Sequence, residues 1–414
     1  MVGSGHTVSG RVKPLPYVLL LLSAIWVLVS ACSTQESRKT VVLWHAYQGA
    51  EKTALESLVD ELNGSRDDLR VKLVSVPYAS FADKLTNAIP NGNGPDLFIF
   101  SHDRIGDWTA KRLIEPIEFF VDEKLADTFL YSSVSALAYK RSLYGLPLAL
   151  KSLALFYRTD LVSKPPRTTD ELISWGAEFR KEHGSKYPLV YMDTDLYGHA
   201  PWLHGFGGKL FTGDGKLNIN TPEAEAALKF ARDLAKRGVA NAHTKSVLVT
   251  SMFNDGKAAM AVSGPWFMST IDKKVPWAVT TMPIVSATGK PAAPFLSVEA
   301  VIMSARARDK HRAFEAMKFL TSDHAAMLRA RKGRQVVANR APYRDPQIAS
   351  DRALSAFRAQ ADNTVVIPAT PAMRNVWRPY RTALEKVINQ GTNASDSLSA
   401  ADREIRDYIR GKAR

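Results

Sequence analysis

Short apolar segments alternate with amphipathic ones from residue 39 onward. Residues 41–45 are apolar and β-branched, and residues 51–62 place four apolar side chains at helical spacing before Asn63 and Gly64. Residues 71–76 then alternate as a half-buried strand does. A strand, a helix and a second strand in this order predict a parallel β-sheet.

The alternation continues through the middle of the chain, and helices dominate towards its end. Strands are predicted at 96–101, 153–157 and 187–192, and Thr168 with Glu171 forms a capping box that begins a helix. Further helices are predicted at 221–238, 312–320, 373–389 and 398–409. The expected fold class is α/β, with two α/β lobes and a helical C-terminal part packed on one of them.

The N-terminal segment has the layout of a secretory signal. Two basic residues precede an apolar run at 17–29, which is too short to span a bilayer comfortably and leads into Ser-Ala-Cys32. Small residues before the cysteine resemble a bacterial lipobox, so we predict a lipoprotein signal peptide over 1–32, lipid on Cys32 and a tether over 33–39. An ordinary cleavable signal and an uncleaved anchor are the alternatives. Every version places the bulk of the chain outside the cytoplasm, in the periplasm or on the outer face of the cytoplasmic membrane.

Length and charge narrow the classes of function. A chain of 414 residues is long enough for two or three lobes. Lysine and arginine number 55 against 41 aspartate and glutamate, a net charge of +14 that raises nucleic acid as a partner. The basic residues are scattered, however, and no nucleic-acid motif accompanies them. We therefore predict that nucleic acid is not a partner.

Catalytic and metal-binding motifs are sparse. The sequence contains no G-x-S-x-G elbow, no Walker phosphate loop, no dinucleotide-binding glycine triplet and no H-E-x-x-H helix. His199 and His204 are five residues apart, which is not a zinc-helix spacing, so we predict structural roles for both and neither a metal site nor a cofactor. Asp103, Asp193 and Asp195 leave open the paired carboxylates of a glycosidase.

Aromatic residues stand beside predicted strand ends and turns, often next to a charged or short polar residue. These rings are Trp44, Phe100, Trp202, Trp266 and Trp377. A carbohydrate site needs flat rings for the C–H faces of a pyranose, with carboxylates and guanidinium groups at the edges for its hydroxyls. A single aromatic residue is more often core than ligand contact, so the combination is what indicates such a site.

Four segments carry a resemblance to a known family. In chain order they are 94–104, 157–161, 253–266 and 373–381. With these segments in register, the chain from about Thr40 to its end resembles the maltose-binding protein family, the extracellular solute-binding proteins of ABC sugar importers. The resemblance implies a periplasmic-binding-protein-like fold, in which two α/β lobes are joined by a hinge that the chain crosses more than once. Lobe I is expected over 40–149 plus 296–346, and lobe II over 150–295 plus 347–414.

The resemblance also implies ligand-binding roles on both walls of the cleft. The rings that match stacking positions are Phe100, Tyr197, Trp266 and Trp377. The polar residues that match hydroxyl-binding positions are Asp103, Arg104 and Asp195. Lys151 stands where maltose binders commonly present a glutamate, while Gln48 and Gly49 replace an acid and a lysine. Exchanging an acceptor for an ammonium donor changes which ligand hydroxyls are satisfied there.

By this resemblance the chain is expected to be a lipid-tethered monomer that captures maltose or a malto-oligosaccharide. It would present the closed form to the membrane permease subunits of an ABC transporter, and no bond is broken. The alternatives are binding of another oligosaccharide or of a glycerophosphodiester, to which Lys151 and the basic charge point, and an exported glycoside hydrolase.

Overall fold

A computed structural model of the chain describes residues 39–241 and 245–411, together with Gly3 and Gly5. The predicted signal peptide, Cys32 and the tether up to residue 38 lie outside these residues. Among the described residues, no helix combines the length and the apolar character that a membrane span requires.

Most strands are short, and helices join them. The fourteen strands within the described residues are β1 (Thr40–His45), β2 (Arg70–Ser75), β3 (Leu97–Ser101), β4 (Ala138–Tyr139), β5 (Ser142–Leu143), β6 (Leu146–Lys151), β7 (Ala154–Arg158), β8 (Tyr187–Val190), β9 (Ala258–Ser263), β10 (Trp277–Thr280), β11 (Ile284–Val285), β12 (Lys290–Pro291), β13 (Phe295–Met303) and β14 (Val365–Val366). The fifteen α-helices of the same part of the chain are α1 (Gly49–Ser65), α2 (Tyr78–Ala88), α3 (Ile105–Ala110), α4 (Glu123–Asp127), α5 (Tyr131–Ala136), α6 (Thr169–His183), α7 (Leu196–Gly205), α8 (Pro222–Lys236), α9 (Ser246–Asn254), α10 (Lys310–Leu320), α11 (Asp323–Gly333), α12 (Pro346–Ala349), α13 (Arg352–Ala361), α14 (Trp377–Asn389) and α15 (Ala394–Ile409).

Two separate sheets form the centres of the two lobes. In the first sheet the order is β14-β13-β3-β1-β2, with β6 also paired to β13, and β1 is parallel to both β2 and β3. The parallel sheet predicted from the N-terminal pattern is therefore confirmed. The second sheet has the order β10-β7-β9-β8. The long strand β13 was not predicted, and it runs antiparallel to its neighbours β3 and β6.

The chain passes between the two sheets more than once. Strand β6 ends at Lys151 in the first sheet and β7 begins at Ala154 in the second. The chain returns to the first sheet at β13, and α13 then packs on β7 and β10 before β14 pairs with the start of β13. Two of the proposed lobe boundaries, at residues 150 and 296, fall beside these crossings.

Helix α1 shows how local pattern and packing combine. Its buried side chains include Leu55, Leu58 and Leu62, and the helix packs against β2 and α11. Full burial of a leucine side chain contributes about 1.5–3 kcal/mol to the free energy of unfolding. The helix extends to Ser65 rather than ending at Asn63, and the Asn63 side-chain amide bonds both the N–H and the C=O of Val71 on β2.

The C-terminal helices pack on the second lobe, as predicted. Helix α14 contacts α7, α8 and α15, and apolar side chains from all four helices share one buried cluster. Thr221 caps α8 by accepting a hydrogen bond from the backbone N–H of Ala224, and Thr168 caps α6 in the same way from Glu171. These caps explain why both predicted helix starts are correct.

Candidate functional site

A cleft of about 430 Å³ lies between the two lobes. Part of α2 and the turn after β3 line it on the first-lobe side, while the start of α7 and α14 line it on the other. Six of the predicted ligand-binding residues line this cleft: Phe100, Asp103, Arg104, Asp195, Tyr197 and Trp377. Trp266 lies next to it, with its ring centroid 6.3 Å from that of Tyr197, and the ammonium of Lys151 lies 5.9 Å from the Trp266 ring.

The first-lobe wall is built at the carboxyl end of β3. The strand ends at Ser101, and a 3-10 turn (His102–Arg104) then carries Asp103 and Arg104, whose side chains are 3.7 Å apart and partly exposed. His102 is fully buried and holds this turn in place. Its Nδ1 accepts from the N–H of Val298 at 3.0 Å, so Nε2 carries the proton and donates to the carbonyl of Ile367 at 2.9 Å.

Phe100 lines the cleft from beneath another ring. Only 5% of Phe100 is exposed, and Tyr78 stacks on it with ring centroids 5.3 Å apart and planes 10° apart. Phe81 and Trp108 also contact its ring, with centroids 5.2 Å and 5.3 Å away. Tyr78 itself is 64% exposed. It was not identified from the sequence, because nothing in the local pattern around residue 78 distinguishes a cleft residue from a surface one.

The second-lobe wall is organised by Asp195 at the start of α7. One carboxylate oxygen of Asp195 accepts from the N–H of Tyr197 at 2.9 Å and caps the helix. The other accepts from Arg381 at 2.8 Å. Arg381 lies one helical turn after Trp377 on α14, so the ring and the guanidinium reach the cleft together. That spacing is the sequence signal by which Arg381, which was missed, could have been found.

Trp266 is positioned by a close approach to the backbone. A Cβ atom at residue 264 would lie 2.2 Å from the Trp266 ring, so only glycine permits this arrangement. The 3-10 turn that begins at Pro265 then directs the ring towards Tyr197 and Lys151. Gly264 and Pro265 therefore position the ring, in addition to forming a turn.

Lys151 belongs to a buried ion cluster beside the cleft. Its ammonium lies 2.8 Å from Glu51 and 3.3 Å from Glu299, and the Tyr47 hydroxyl donates to the same oxygen of Glu299 at 3.1 Å. Burial alone would lower the pKa of Lys151, but the two carboxylates raise it above its usual range. Burial raises the pKa of Glu299. Two of the three ammonium N–H groups thus point to carboxylates rather than to a ligand.

Sequence reasoning missed both carboxylates of this cluster. Glu299 lies on β13, which was not predicted, and its side chain is 17% exposed. Glu51 lies two residues beyond the pair at 48 and 49 that departs from the resemblance. The local signal for Glu51 was a pair of opposite charge changes relative to the maltose-binding protein family. Lys151 stands where that family commonly has a glutamate, and Glu51 lies two residues after Gly49, where the family has a lysine.

The described residues hold no group of three or more histidine, cysteine, aspartate or glutamate side chains that could bind a metal. His199 is fully buried and His204 half-buried in the second lobe, and His204 bonds the carbonyl of Ala293 at 2.7 Å. Trp202 is 1% exposed and belongs to the core. Trp44 packs with its ring edge-on to Phe81, as expected for a core residue near the cleft.

Comparison with known proteins identifies relatives over most of the chain. The chain is 27% identical to the maltotriose-binding protein of Pyrococcus abyssi (strain GE5 / Orsay) over 365 residues, which cover 86% of this chain and 78% of that protein. It is also 27% identical to the galactooligosaccharide-binding protein of Bacillus subtilis (strain 168) over 419 residues, which cover 95% and 97% of the two chains.

The fold is similar to that of solved binding proteins. A cyclo/maltodextrin-binding protein complexed with maltotetraose superposes with a TM-score of 0.81 at 27% identity, covering 91% of this chain and 98% of the other. The profile of the bacterial extracellular solute-binding protein family matches residues 48–327, which is more than half of the sequence. The chain belongs to the bacterial extracellular solute-binding protein family.

Proposed function

We propose that the chain is the substrate-binding component of an ABC importer and captures a malto-oligosaccharide between its lobes. The observation that carries this proposal is the cleft itself. Each wall combines a ring with an acid–arginine pair: Asp103 and Arg104 from the first lobe, and Asp195 with Arg381 beside Trp377 from the second. Membership of a solute-binding family supports binding rather than catalysis.

The two walls explain how binding drives closure. Rings cover the apolar faces of a pyranose, carboxylates accept from its hydroxyls, and guanidinium groups donate to them. A saccharide contacts both walls at once only when the lobes are closed. Its affinity for the closed form therefore exceeds that for the open form and shifts the population towards closure. The closed form is the state that the permease subunits would recognise.

Two solved or curated relatives favour an α-glucan, since one is a maltotriose-binding protein and the other was solved with maltotetraose. A galacto-oligosaccharide is the second candidate, because an equally identical relative is a galactooligosaccharide-binding protein. The glycerophosphodiester alternative loses the part of its support that rested on Lys151. Lys151, which pointed to it, has its charge compensated by Glu51 and Glu299.

We also propose that the protein acts as a monomer, exported and attached to the membrane by lipid on Cys32. The support is the apolar run followed by Ser-Ala-Cys and a polar segment. Metabolic labelling with a fatty acid should mark the wild-type protein, while Cys32→Ser should abolish the label. Labelling that persists in Cys32→Ser would refute the assignment of the lipid to this residue.

Calorimetric titration of the purified protein with maltotriose, with a galacto-oligosaccharide and with glycerophosphocholine tests the ligand class. We expect maltotriose to bind with measurable heat and to reduce the radius of gyration in small-angle scattering. The variant Trp377→Ala should lose about 1–3 kcal/mol of binding free energy through lost apolar contact. Binding of the galacto-oligosaccharide alone would establish the second candidate. Release of new reducing ends from maltodextrin would contradict a binding function.

A further inference from the structure

Among the described first-lobe residues that line the cleft, Tyr78 is the one with a largely exposed ring. Phe100, the residue that matches a stacking position by sequence, is 5% exposed and has Tyr78, Phe81 and Trp108 around its ring. No room remains for a sugar against either face of Phe100. Tyr78 uses one face to stack on Phe100, lines the cleft and is 64% exposed.

Tyr78 is held in this position by local structure. It is the first residue of α2, and Pro77, with φ of −57°, precedes it. Ala79, Ala82 and Asp83 of the same helix also line the cleft, so Tyr78 is the one ring that this helix contributes to the cleft lining. The nearly parallel stack on Phe100 restrains the ring, so little side-chain entropy is left to lose on binding.

The hydroxyl of Tyr78 stays neutral near neutral pH. Partial desolvation at the cleft wall, followed by the charges of Asp103 and Glu299, raises the pKa of Tyr78 above its ordinary value, although 64% of the residue is exposed. Tyr78 is in turn one of the groups that raise the pKa of Tyr197 on the second lobe, after burial. Both phenols line the cleft, Tyr78 on the first-lobe wall and Tyr197 on the second-lobe wall. A neutral phenol both donates and accepts hydrogen bonds, which suits an uncharged polyhydroxylated ligand.

We infer that Tyr78, rather than Phe100, is the ring on which the first lobe stacks its saccharide, and that it determines specificity for a neutral pyranose ligand. This inference rests on the proposed function. The stacking surface stands one ring further into the cleft than residue 100, by the 5.3 Å that separates the two centroids. The sugar is then held between Tyr78 on one side and Tyr197 with Trp377 on the other.

The test compares maltotriose affinities of four variants with that of the wild type by calorimetry, with thermal unfolding measured for each. Tyr78→Ala should weaken affinity by roughly 10- to 100-fold with an unchanged melting temperature. Tyr78→Phe, which keeps the ring, should stay within about threefold of the wild type. Tyr131→Ala is the matched control, because Tyr131 also begins a helix and is 80% exposed but does not line the cleft. Tyr131→Ala should change neither the maltotriose affinity nor the melting temperature.

Phe100→Leu separates the two rings. It should lower the melting temperature, because Phe100 is buried among aromatic side chains, and it should weaken affinity less than Tyr78→Ala does, because it removes only the support beneath the Tyr78 ring. A loss of maltotriose affinity in Phe100→Leu that equals or exceeds the loss in Tyr78→Ala would overturn the inference. So would a loss in Tyr78→Phe as large as that in Tyr78→Ala. If the wild type binds no saccharide, the proposed function fails and this assignment fails with it. If the wild type binds maltotriose and Tyr78→Ala binds it with the same affinity, only the assignment of Tyr78 is refuted.

Discussion

Lys151 illustrates how neighbouring charges set the behaviour of a single residue. By itself, an ammonium at the cleft would attract an anionic ligand. The carboxylates of Glu51 and Glu299 pair with it, and all three side chains are less than one fifth exposed. Buried charges of this kind are tolerated because they are paired, and removing one partner leaves the others uncompensated.

Lys151→Met should therefore destabilise the protein by roughly 3 kcal/mol at neutral pH. Burial raises the pKa of Glu299, and loss of the ammonium removes a charge that opposes this rise. The folded variant thus binds protons more readily than the unfolded chain. The loss of unfolding free energy relative to the wild type should be small below the raised pKa of Glu299 and should grow as the pH rises through that pKa.

Urea unfolding of Lys151→Met from acidic to neutral pH measures this deficit. Lys124→Met, at an exposed lysine, serves as the control and should match the wild type at each pH. If the loss of unfolding free energy in Lys151→Met is the same at every pH, then removing Lys151 does not leave Glu51 and Glu299 as uncompensated buried charges.

At the scale of secondary-structure elements, α7 joins a structural role to a binding role through one side chain. Asp195 caps the helix with one oxygen and pairs with Arg381 of α14 with the other. The cap satisfies a backbone N–H that would otherwise lack a partner at the helix start. The pair links two elements that meet only in the folded second lobe.

The two roles of Asp195 can be separated by substitution. Asp195→Ala should lower the free energy of unfolding by about 1 kcal/mol through loss of the cap. Asp195→Asn retains an acceptor oxygen for the cap and should keep most of that stability. Both variants should bind maltotriose more weakly, because both lose the charged acceptor beside Arg381. Equal destabilisation in urea unfolding of the two variants would contradict the capping role.

For the whole molecule, buried histidines make stability sensitive to acid. Burial lowers the pKa of His102, of His199 to about 3 and of His204 to about 4. The first lobe contains His102, which connects the end of β3 with β13 and the segment after β14, and the second lobe contains the other two. Each must remain neutral in the folded state.

The unfolded chain binds these protons first, since a free histidine has a pKa of about 6.5. The free energy of unfolding should accordingly be at its full value above about pH 6.5 and should fall below it. Each of the three residues contributes up to about 1.4 kcal/mol per pH unit until its folded pKa is reached. Urea unfolding at pH 7.5, 6 and 5 measures the slope. Equal stability at the three pH values would refute the expectation.

Several parts of the fold were predictable because their signals are local. The strands and helix at the N-terminus, the capped starts of α6 and α8, and the C-terminal helices each follow from spacing or capping within one element. Five of the eight predicted site residues lie in short segments that resemble a family, and Lys151, Asp195 and Tyr197 could be named because they are in register with those segments. Six of the eight line the cleft, and the other two lie beside it.

What the sequence by itself determined was the order of elements and the residue types offered to the cleft. The tertiary structure decided which of them meet. Glu51 and Glu299 reach Lys151 from α1 and β13, over separations of 100 and 148 positions, and Tyr78 covers Phe100 from a different element. Contacts between residues so distant in the chain depend on how the chain crosses between two sheets, and no local spacing encodes that path.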